Sequence, residues 1–583
     1  MTNPSAEHGR QPDRLGPLAF GRVDYGFDRF LRYDEMVEWL RAAESRSNGL
    51  LSLEVYGQSH LGRDLLLATV SDPATGAPAD KPAHWVDANI HAVEVTGGVA
   101  ALALIDRLIS GFGEDATVTE ALRTRTFYIA PRVNPDGVED ALADHPRFHR
   151  SSVRPWPWTD GHRWPGLAPE DIDGDGVIRT MRIADPDGAW VEHPDDPRVM
   201  APVPADGVVD GRQRYRLLCE GTIENYDGFT IDTPRDPAGL DLNRNFPAGW
   251  STSVLGSGDH PLSEPEIDSL VRAIRARPNI CGYNAFHTSG GVLLRPSSTR
   301  PDGDLPAGDL WTWRRLAERG TDLTGYRCHS VFEDFTWDRR HLMSGAADDW
   351  AYDHLGVFSW TTEFWDVIHH ATGERASTHI WFEGPTVEQE LAVARWSDQH
   401  APGGYAPWRP FDHPQLGRVE IGGADDFHLW TNAPSAMLAA EVRPHADFAI
   451  HQALASPRLE IALLEAIGLG DDLWRVRLGV SNTGWLPTEI SAHARREHLV
   501  LPIRAALQNA DGGAARTIGG QATVQLGQLS GRAAMNLGGR PMSDGTPDRL
   551  IHEWTVRGSV GAELAVEVSH QRAGRVTARI ELG

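Results

Sequence analysis

The sequence contains few cysteines and no long hydrophobic run. The 583 residues include three cysteines, Cys219, Cys281 and Cys328, and no two of them have a CxxC spacing. This pattern excludes a disulfide framework and a thiolate zinc site. No run of about 18 apolar residues is available to span a bilayer. The first residues, MTNPSAEHGRQPDRLG, lack the basic and apolar segments of a signal peptide, so we expect a cytoplasmic protein.

Basic residues are fewer than acidic ones. The chain has 55 Lys and Arg against 81 Asp and Glu, which gives a net charge of −26 at pH 7. Because this charge repels polyanions, we expect neither nucleic acid nor a membrane as a partner. Apolar residues make up 40% of the chain, a fraction typical of globular proteins. The length predicts two or more domains and leaves the oligomeric state open.

Short apolar runs alternate with helical patterns from about residue 25 to about residue 400. The predicted helices are Tyr33–Ala43, Thr96–Leu108, Pro265–Ala276 and Val387–Ser397. The predicted strands are Ala83–Ile90, Thr126–Val133, Ile280–Phe286 and Gly356–Thr362. Nearly continuous apolar strands are typical of a sheet with helices on both faces. We therefore predict an α/β domain over residues 1–400, with a mixed, largely parallel sheet flanked by helices.

Other segments depart from this alternation. Residues 151–238 are rich in Trp, Pro, Asp and Gly, and we interpret them as a long surface insertion. Residues 401–416 contain several Pro and Gly and are predicted to be a linker. Over residues 417–583 the apolar period becomes two, as in the alternation of Trp474, Val476 and Leu478 with polar residues. This period predicts an antiparallel β-sandwich as an accessory domain.

Alternating carboxylates lie inside the predicted insertion. Asp171, Asp173 and Asp175, with Gly174 and Gly176 between and after them, resemble the first half of an EF-hand calcium loop. The twelfth position is Arg182, where a bidentate glutamate is required. A calcium site is therefore one interpretation, and an Asp/Gly-rich turn without metal is the favoured one.

Metal-ligating and acidic residues follow three of the predicted strands. His91 and Glu94 follow the first, His287 ends a second and Glu363 ends a third. Active sites of open α/β sheets form outside the carboxyl ends of strands. Histidine nitrogen and carboxylate oxygen suit Zn²⁺, and three protein ligands leave one position open for catalysis. HxxE alone arises often by chance, but three strand ends together predict a zinc site with Glu363 as a base.

A loop between these strands contains Asn243 and Arg244. An amide next to a guanidinium fork is suited to binding a free carboxylate. A surface arginine beside a turn-forming asparagine is the simpler explanation of this pair when it is taken alone.

Together, these motifs resemble the zinc metallocarboxypeptidases of the carboxypeptidase A/B type. The resemblance covers about Tyr25 to His400 and follows the order of the family. The motifs are GQSHLGR at 57–63, HAVE at 91–94, NPDG at 134–137, DLNRNF at 241–246, SEPE at 263–266, His287, and DWAY at 349–352 leading to Glu363. The resemblance implies a mixed eight-stranded sheet, one catalytic zinc ion, and removal of C-terminal residues from peptides.

The resemblance also implies roles for individual residues. His91, Glu94 and His287 would bind zinc. Glu363 would activate the attacking water and pass its proton to the leaving amine. Asn243 and Arg244 would bind the terminal carboxylate of the peptide. Arg150 would stabilise the oxyanion, with Arg147 as the alternative.

Substrate preference is implied by a further position. Asp348 aligns with the base of the side-chain pocket, where carboxypeptidase B has an aspartate that pairs with Lys or Arg. This alignment predicts a preference for basic C-terminal residues, and a surface acid that aligns by chance is the alternative.

Two positions depart from the family pattern. His341 stands where the family has a mobile tyrosine that covers the substrate, and Val93 stands where it has an arginine between the zinc ligands. A zinc amidohydrolase acting on N-acyl amino acids or cell-wall peptides therefore remains an alternative. A catalytically inactive peptide-binding homologue is another, although it predicts a lost ligand or base, and none is missing.

Overall fold

The structure is a computed structural model that describes residues 25–157, 165–209, 211–233, 239–510, 513–537 and 544–583. The N-terminal segment used for the signal-peptide prediction lies outside the described residues. The strands are β1 Leu51–Gln58, β2 Asp64–Val70, β3 Ala83–Ala88, β4 Thr126–Ala130, β5 Gly166–Pro169, β6 Thr180–Ala184, β7 Trp190–Glu192, β8 Met200–Pro202, β9 Arg214–Cys219, β10 Gly221–Glu224, β11 Ile280–Thr288, β12 Val292–Arg295, β13 Arg327–Ser330, β14 Phe358–Phe364, β15 Tyr405–His413, β16 Gly417–Ala424, β17 Leu459–Gly470, β18 Leu473–Asn482, β19 Ile503–Asn509, β20 Arg516–Thr517, β21 Thr523–Gly527, β22 Arg549–Arg557, β23 Glu563–His570 and β24 Gly574–Glu581. The helices are α1 Tyr33–Arg46, α2 Val95–Gly111, α3 Ala116–Thr124, α4 Pro135–Ala141, α5 Pro265–Arg275, α6 Ala307–Thr324, α7 Ala347–Trp350, α8 Val367–Thr372, α9 Ile380–Glu383, α10 Val387–His400, α11 Ser435–Ala455 and α12 Ala492–Arg496.

The central sheet has eight strands in the order β1-β2-β4-β3-β11-β14-β12-β13. The pairings β4–β3, β3–β11, β11–β14 and β12–β13 are parallel, and the others are antiparallel. All residues of β3 and β4 are buried, because helices cover both faces of the sheet. The predicted mixed, largely parallel sheet flanked by helices is confirmed.

Helix α5 illustrates how the sequence pattern produces the helical layer. Pro265 occupies its first turn, where the missing N–H costs nothing. Ile267, Leu270, Val271 and Ile274 recur at helical spacing, and all four are buried in one apolar cluster with residues of β3 and β11. On the opposite face of the sheet, α2 is buried along most of its length.

The predicted surface insertion and linker form one sheet. β6, β9, β7 and β8, from the insertion, join β15 and β16 in a six-stranded sheet, which we call the insertion sheet. The prediction of a linker over residues 401–416 is therefore wrong, because β15 lies within it. Arg182 lies at the centre of this sheet, where its guanidinium contacts Glu192 and Glu420 and covers the rings of Tyr215 and Trp408.

The start of the accessory region also differs from the prediction. Residues 417–424 are β16 of the insertion sheet. Helix α11 contributes Leu438, Val442 and Ala446 to the apolar cluster that also contains α2. The two C-terminal sheets start only at β17. Pro444 inside α11 obscures the helical pattern, although the surrounding apolar contacts support the helix.

The predicted antiparallel sandwich is confirmed beyond α11. One sheet has the order β17-β18-β22-β20 and the other has the order β21-β19-β23-β24. Val476 and Leu478 of one sheet share a buried core with Ala505, Val566 and Val568 of the other. The alternating residues of each strand face this core, as the period of two requires.

Membrane-spanning potential is limited to one bent helix pair. Within the described ranges, no single helix is long and apolar enough to cross a bilayer. α2 and α3 pass the length and composition criteria only as a pair, with a bend of 100° between them.

Candidate metal centre and substrate site

Parallel pairing of β3 and β11 brings the predicted metal ligands together. Ala88, the last residue of β3, is paired with Phe286, so His91 and His287 both lie at the carboxyl ends of neighbouring strands. Glu94 precedes the first residue of α2. The three side chains belong to residues that are between 2% and 4% exposed.

The ligand atoms of these three residues converge. Nδ1 of His91 lies 2.7 Å from Oε1 of Glu94, and Nδ1 of His287 lies 2.8 Å from Oε2 of the same carboxylate. The two Nδ1 atoms are 3.1 Å apart. Two imidazole nitrogens and a carboxylate directed at one point form the donor set of a catalytic zinc site. The residues therefore fit zinc.

The charges of the group agree with this fit. Burial opposes the charge of Glu94, but the adjacent His91 and His287 hold the pKa of this carboxyl below its ordinary value. Burial also disfavours the charged form of His91, yet Glu94 and Asp241 raise the pKa of this imidazole above its ordinary value. Glu94 therefore stays ionised, as a ligand to a cation requires.

Asp241 is a functional candidate that the sequence pattern does not single out. Its Oδ1 lies 3.1 Å from Nε2 of His91, the ring nitrogen on the far side from Glu94. A carboxylate in this position fixes the orientation and tautomer of a ligating imidazole. The signal was present in the sequence, because Asp241 is the first residue of the DLNRNF motif. Only the long-range contact reveals its role.

Glu363 lies opposite one of the ligands in the sheet. β11 and β14 are paired in parallel with His287 opposite Glu363. Oε2 of Glu363 is buried without a hydrogen-bond partner among the described residues. Burial and, to a smaller extent, the negative charge of the nearby Glu94 carboxylate raise the pKa of Glu363 to about 8. A cation held by Glu94 would offset this repulsion and favour the charged form that a base requires.

The two arginines considered for the oxyanion role occupy different surroundings. Arg150 donates to Oε1 of Glu94 and to Oδ2 of Asp241, at 3.2 Å each. Arg147 instead donates to Asp140 at 3.0 Å, and its side chain is 66% exposed. Only Arg150 of this pair therefore contacts the metal group.

Asn243 and Arg244 lie beside the metal group in the loop that starts at Asp241. The backbone N–H of Asn243 donates to Oδ1 of Asp241, and its own Oδ1 accepts from the N–H of Ala347 at 2.9 Å. Within the described part of the chain, no hydrogen bond from its amide NH₂ is present. Arg244 is half-buried and donates through one nitrogen to the carbonyl of Asn243 at 2.7 Å. This ordered pair is compatible with carboxylate binding.

Asp348 is not a surface acid. It is 3% exposed in α7, and burial raises its pKa. The His287 and Glu363 side chains are close enough to interact with it electrostatically. The neighbouring Asp349 accepts from the N–H of Ser298 at 3.0 Å, and burial together with Asp348 raises its pKa to about 8. Asp348 is therefore buried near the metal group, and its role in side-chain preference stays a prediction.

His341 lies on an exposed loop. Its side chain is 82% exposed, and its Nδ1 lies 3.0 Å from Oδ2 of Asp338. This contact does not connect it to the metal group. Val93, the other departure, packs against an apolar cluster that contains Val95 and Phe427.

The carboxylates of the predicted calcium loop are already engaged. Asp171 accepts from the N–H groups of Gly174 and Gly176, at 2.7 Å and 2.9 Å. Arg179 donates to Asp175 at 3.2 Å. Arg182 points into the insertion sheet and supplies no ligand. These contacts describe an Asp/Gly-rich turn, and a calcium site has no support.

Comparison with known families agrees with this geometry. The family described as zinc carboxypeptidase matches residues 36–157 and 200–372, together just over half of the chain. The chain belongs to the zinc carboxypeptidase family. The resemblance to the carboxypeptidase A/B type is thereby confirmed, and members of the family are zinc enzymes. A second family, described as a domain of unknown function (DUF8731), matches residues 458–581.

Curated members of the zinc carboxypeptidase family are distant relatives. Carboxypeptidase A2 of Rattus norvegicus is 23% identical over 357 residues, covering 60% of this chain and 65% of that protein. Carboxypeptidase B of Bos taurus is 22% identical over 362 residues, covering 59% and 64%. The chain thus spans less than two thirds of each relative. A crystal structure of thrombin activatable fibrinolysis inhibitor has 18% identity and a TM-score of 0.37, covering 64% of this chain and 74% of that chain.

Proposed function

We propose that the protein is a zinc-dependent carboxypeptidase that hydrolyses the C-terminal peptide bond of peptides and prefers basic terminal residues. One observation carries the proposal: the His91, Glu94 and His287 donor atoms converge beside a buried, unpartnered Glu363 oxygen. The complete donor set and base argue against an inactive homologue. One zinc ion per chain is part of the proposal.

The proposed mechanism assigns a separate task to each group. Zinc, when bound, polarises the scissile carbonyl and favours ionisation of a water molecule. Glu363 takes the proton of the attacking water and later gives it to the leaving amine. Arg150 donates to the oxyanion, which is a role suited to a half-exposed guanidinium beside the ligands. Asn243 and Arg244 bind the terminal carboxylate and align the peptide.

A substrate panel separates this function from its alternative. We expect release of the terminal residue from hippuryl-Arg and hippuryl-Phe, and none from hippuryl-Phe amide, which lacks the carboxylate that Arg244 would bind. N-acetyl-aspartate and a diaminopimelate-containing peptide test for an amidohydrolase. Cleavage of only these last two compounds would defeat the carboxypeptidase proposal.

Asp348→Asn tests the proposed basic preference. A buried carboxylate at the base of the side-chain pocket would bind a guanidinium by charge-assisted hydrogen bonds, which an amide cannot replace. We expect kcat/KM for hippuryl-Arg to fall about 10-fold or more, since such a bond contributes about 1.5–3 kcal/mol. Steady-state kinetics should show little change for hippuryl-Phe. An equal loss for both substrates would indicate damage to the site and not lost specificity.

A further inference from the structure

Helix α2 starts at a metal ligand that does not cap it. The N-cap residue is Glu94, and an N-cap side chain ordinarily accepts from N–H groups of the first helical turn. The Glu94 carboxylate makes no such bond, because its oxygens face His91 and His287. The first turn of α2 therefore requires an acceptor from elsewhere in the chain.

Asn432 supplies this acceptor. Its Oδ1 accepts from the N–H of Thr96 at 3.0 Å and from the hydroxyl of Thr96 at 3.1 Å. Its Nδ2 donates to the carbonyl of Val93 at 2.8 Å and to that of Phe427 at 3.1 Å. Asn432 is fully buried. One side chain thus holds the backbone on both sides of Glu94.

Asn432 belongs to the segment 425–433, which joins β16 to α11 and which we call the bracing segment. It lies outside the residues matched by the zinc carboxypeptidase family. Phe427 of this segment stacks on Phe148, with ring centroids 5.0 Å apart and planes at 15°. Phe148 is two residues before Arg150. The bracing segment therefore contacts both the residues on either side of Glu94 and the residues just before Arg150.

We infer that Asn432 is a positioning residue for the zinc ligand Glu94, an inference that rests on the proposed zinc function. With Asn432 in place, the N–H of Thr96 is satisfied, and the carboxylate of Glu94 remains directed at the metal position. Without Asn432, the same carboxylate would be free to take the ordinary role of an N-cap side chain and accept from the helix terminus. Capping of α2 and binding of zinc would then compete for one side chain.

The test compares Asn432→Ala with a matched variant, Asn482→Ala. Asn482 is also buried and bridges loops through four hydrogen bonds, with Arg458, Gly484, Leu486 and Ser530, but it lies in the C-terminal sandwich. We expect Asn432→Ala to weaken zinc binding about 10-fold or more, as loss of partners behind metal ligands does. Asn482→Ala should leave zinc affinity unchanged. Chelator competition on the metal-free full-length protein measures both.

Hydrogen exchange gives a second readout, which does not depend on activity. In Asn432→Ala the Thr96 amide has lost its Asn432 acceptor, so it should exchange faster while zinc holds the Glu94 carboxylate. Removal of zinc should slow this exchange, because Glu94 can then cap α2. Faster exchange with unchanged zinc affinity would reduce Asn432 to a helix cap and overturn the inference. Unchanged exchange in the zinc-bound variant would also overturn it. A wild-type protein that binds no zinc would defeat the proposed function. The exchange result would still report on the hydrogen bond between Asn432 and Thr96.

A second variant covers the case in which Asn432→Ala does not fold. Thr96→Val keeps the shape of the side chain and removes the hydroxyl, which donates to Oδ1 of Asn432 and accepts from the N–H of Ala433 at 3.2 Å. We expect zinc binding about threefold to tenfold weaker, as for loss of one or two hydrogen bonds. Zinc affinity equal to that of wild type would overturn the inference.

Discussion

Glu363→Gln is expected to lower kcat about 10³-fold on hippuryl-Arg while leaving zinc bound. The amide is nearly isosteric with the carboxylate, but it cannot accept the proton of the attacking water, and general bases contribute about 10²–10⁴-fold to rate. We expect the variant to keep zinc because Glu363 lies beside the metal ligands and is not one of them. Steady-state kinetics and elemental analysis of the same sample measure the two quantities.

A matched control for this variant is Glu374→Gln. Glu374 is exposed after α8, so the same chemical change there should leave kcat within about twofold of wild type, as is usual for surface substitutions. The C-terminal residue profile of a digested peptide mixture extends the comparison to natural sequences. Normal turnover by Glu363→Gln would refute its role as the base.

Glu94→Gln is expected to weaken zinc binding more than about 100-fold and to abolish activity. The substitution removes the negative charge of the group and places an NH₂ donor where a cation requires an acceptor. Loss of partners behind a ligand costs about 10–100-fold, so loss of a ligand itself should cost more. Zinc content after dialysis and chelator competition measure the effect.

Glu220→Gln is the control for a buried glutamate. Glu220 is fully buried directly after β9 and accepts from the N–H groups of Ile172 and Arg179 at 2.8 Å each. Its replacement should lower thermal stability without changing zinc content. Fewer than about one zinc ion per two wild-type chains after gentle purification, with no rescue by added zinc, would favour the inactive homologue.

The features that could be predicted from the sequence are those with a local signal. Strands such as β3 and β11 are buried on both faces, so their runs of apolar residues identify them without knowledge of their partners. His91, His287 and Glu363 follow such runs, and the carboxyl ends of parallel strands meet at one edge. The site was therefore visible as a set of strand ends.

The features that could not be predicted depend on contacts between distant residues. The strands β6, β7, β8 and β9 of the insertion sheet have only three to six residues, and Arg182 of β6 is buried, so no apolar period identifies them. Asn432 resembles any other loop asparagine until its contacts with Thr96 and Val93 are known. Asp241 similarly acquires a role only through the ring of His91.

The insertion sheet combines strands from two distant parts of the chain, and this has a consequence during synthesis of the protein. β6 pairs with β16, and the ion pair between Arg182 and Glu420 joins residues that are 238 positions apart. During synthesis, β6 therefore leaves the ribosome long before its partner and presents an unpaired edge to the cell. Asn432 emerges later still. The nascent chain must protect that edge until most of its length has been translated.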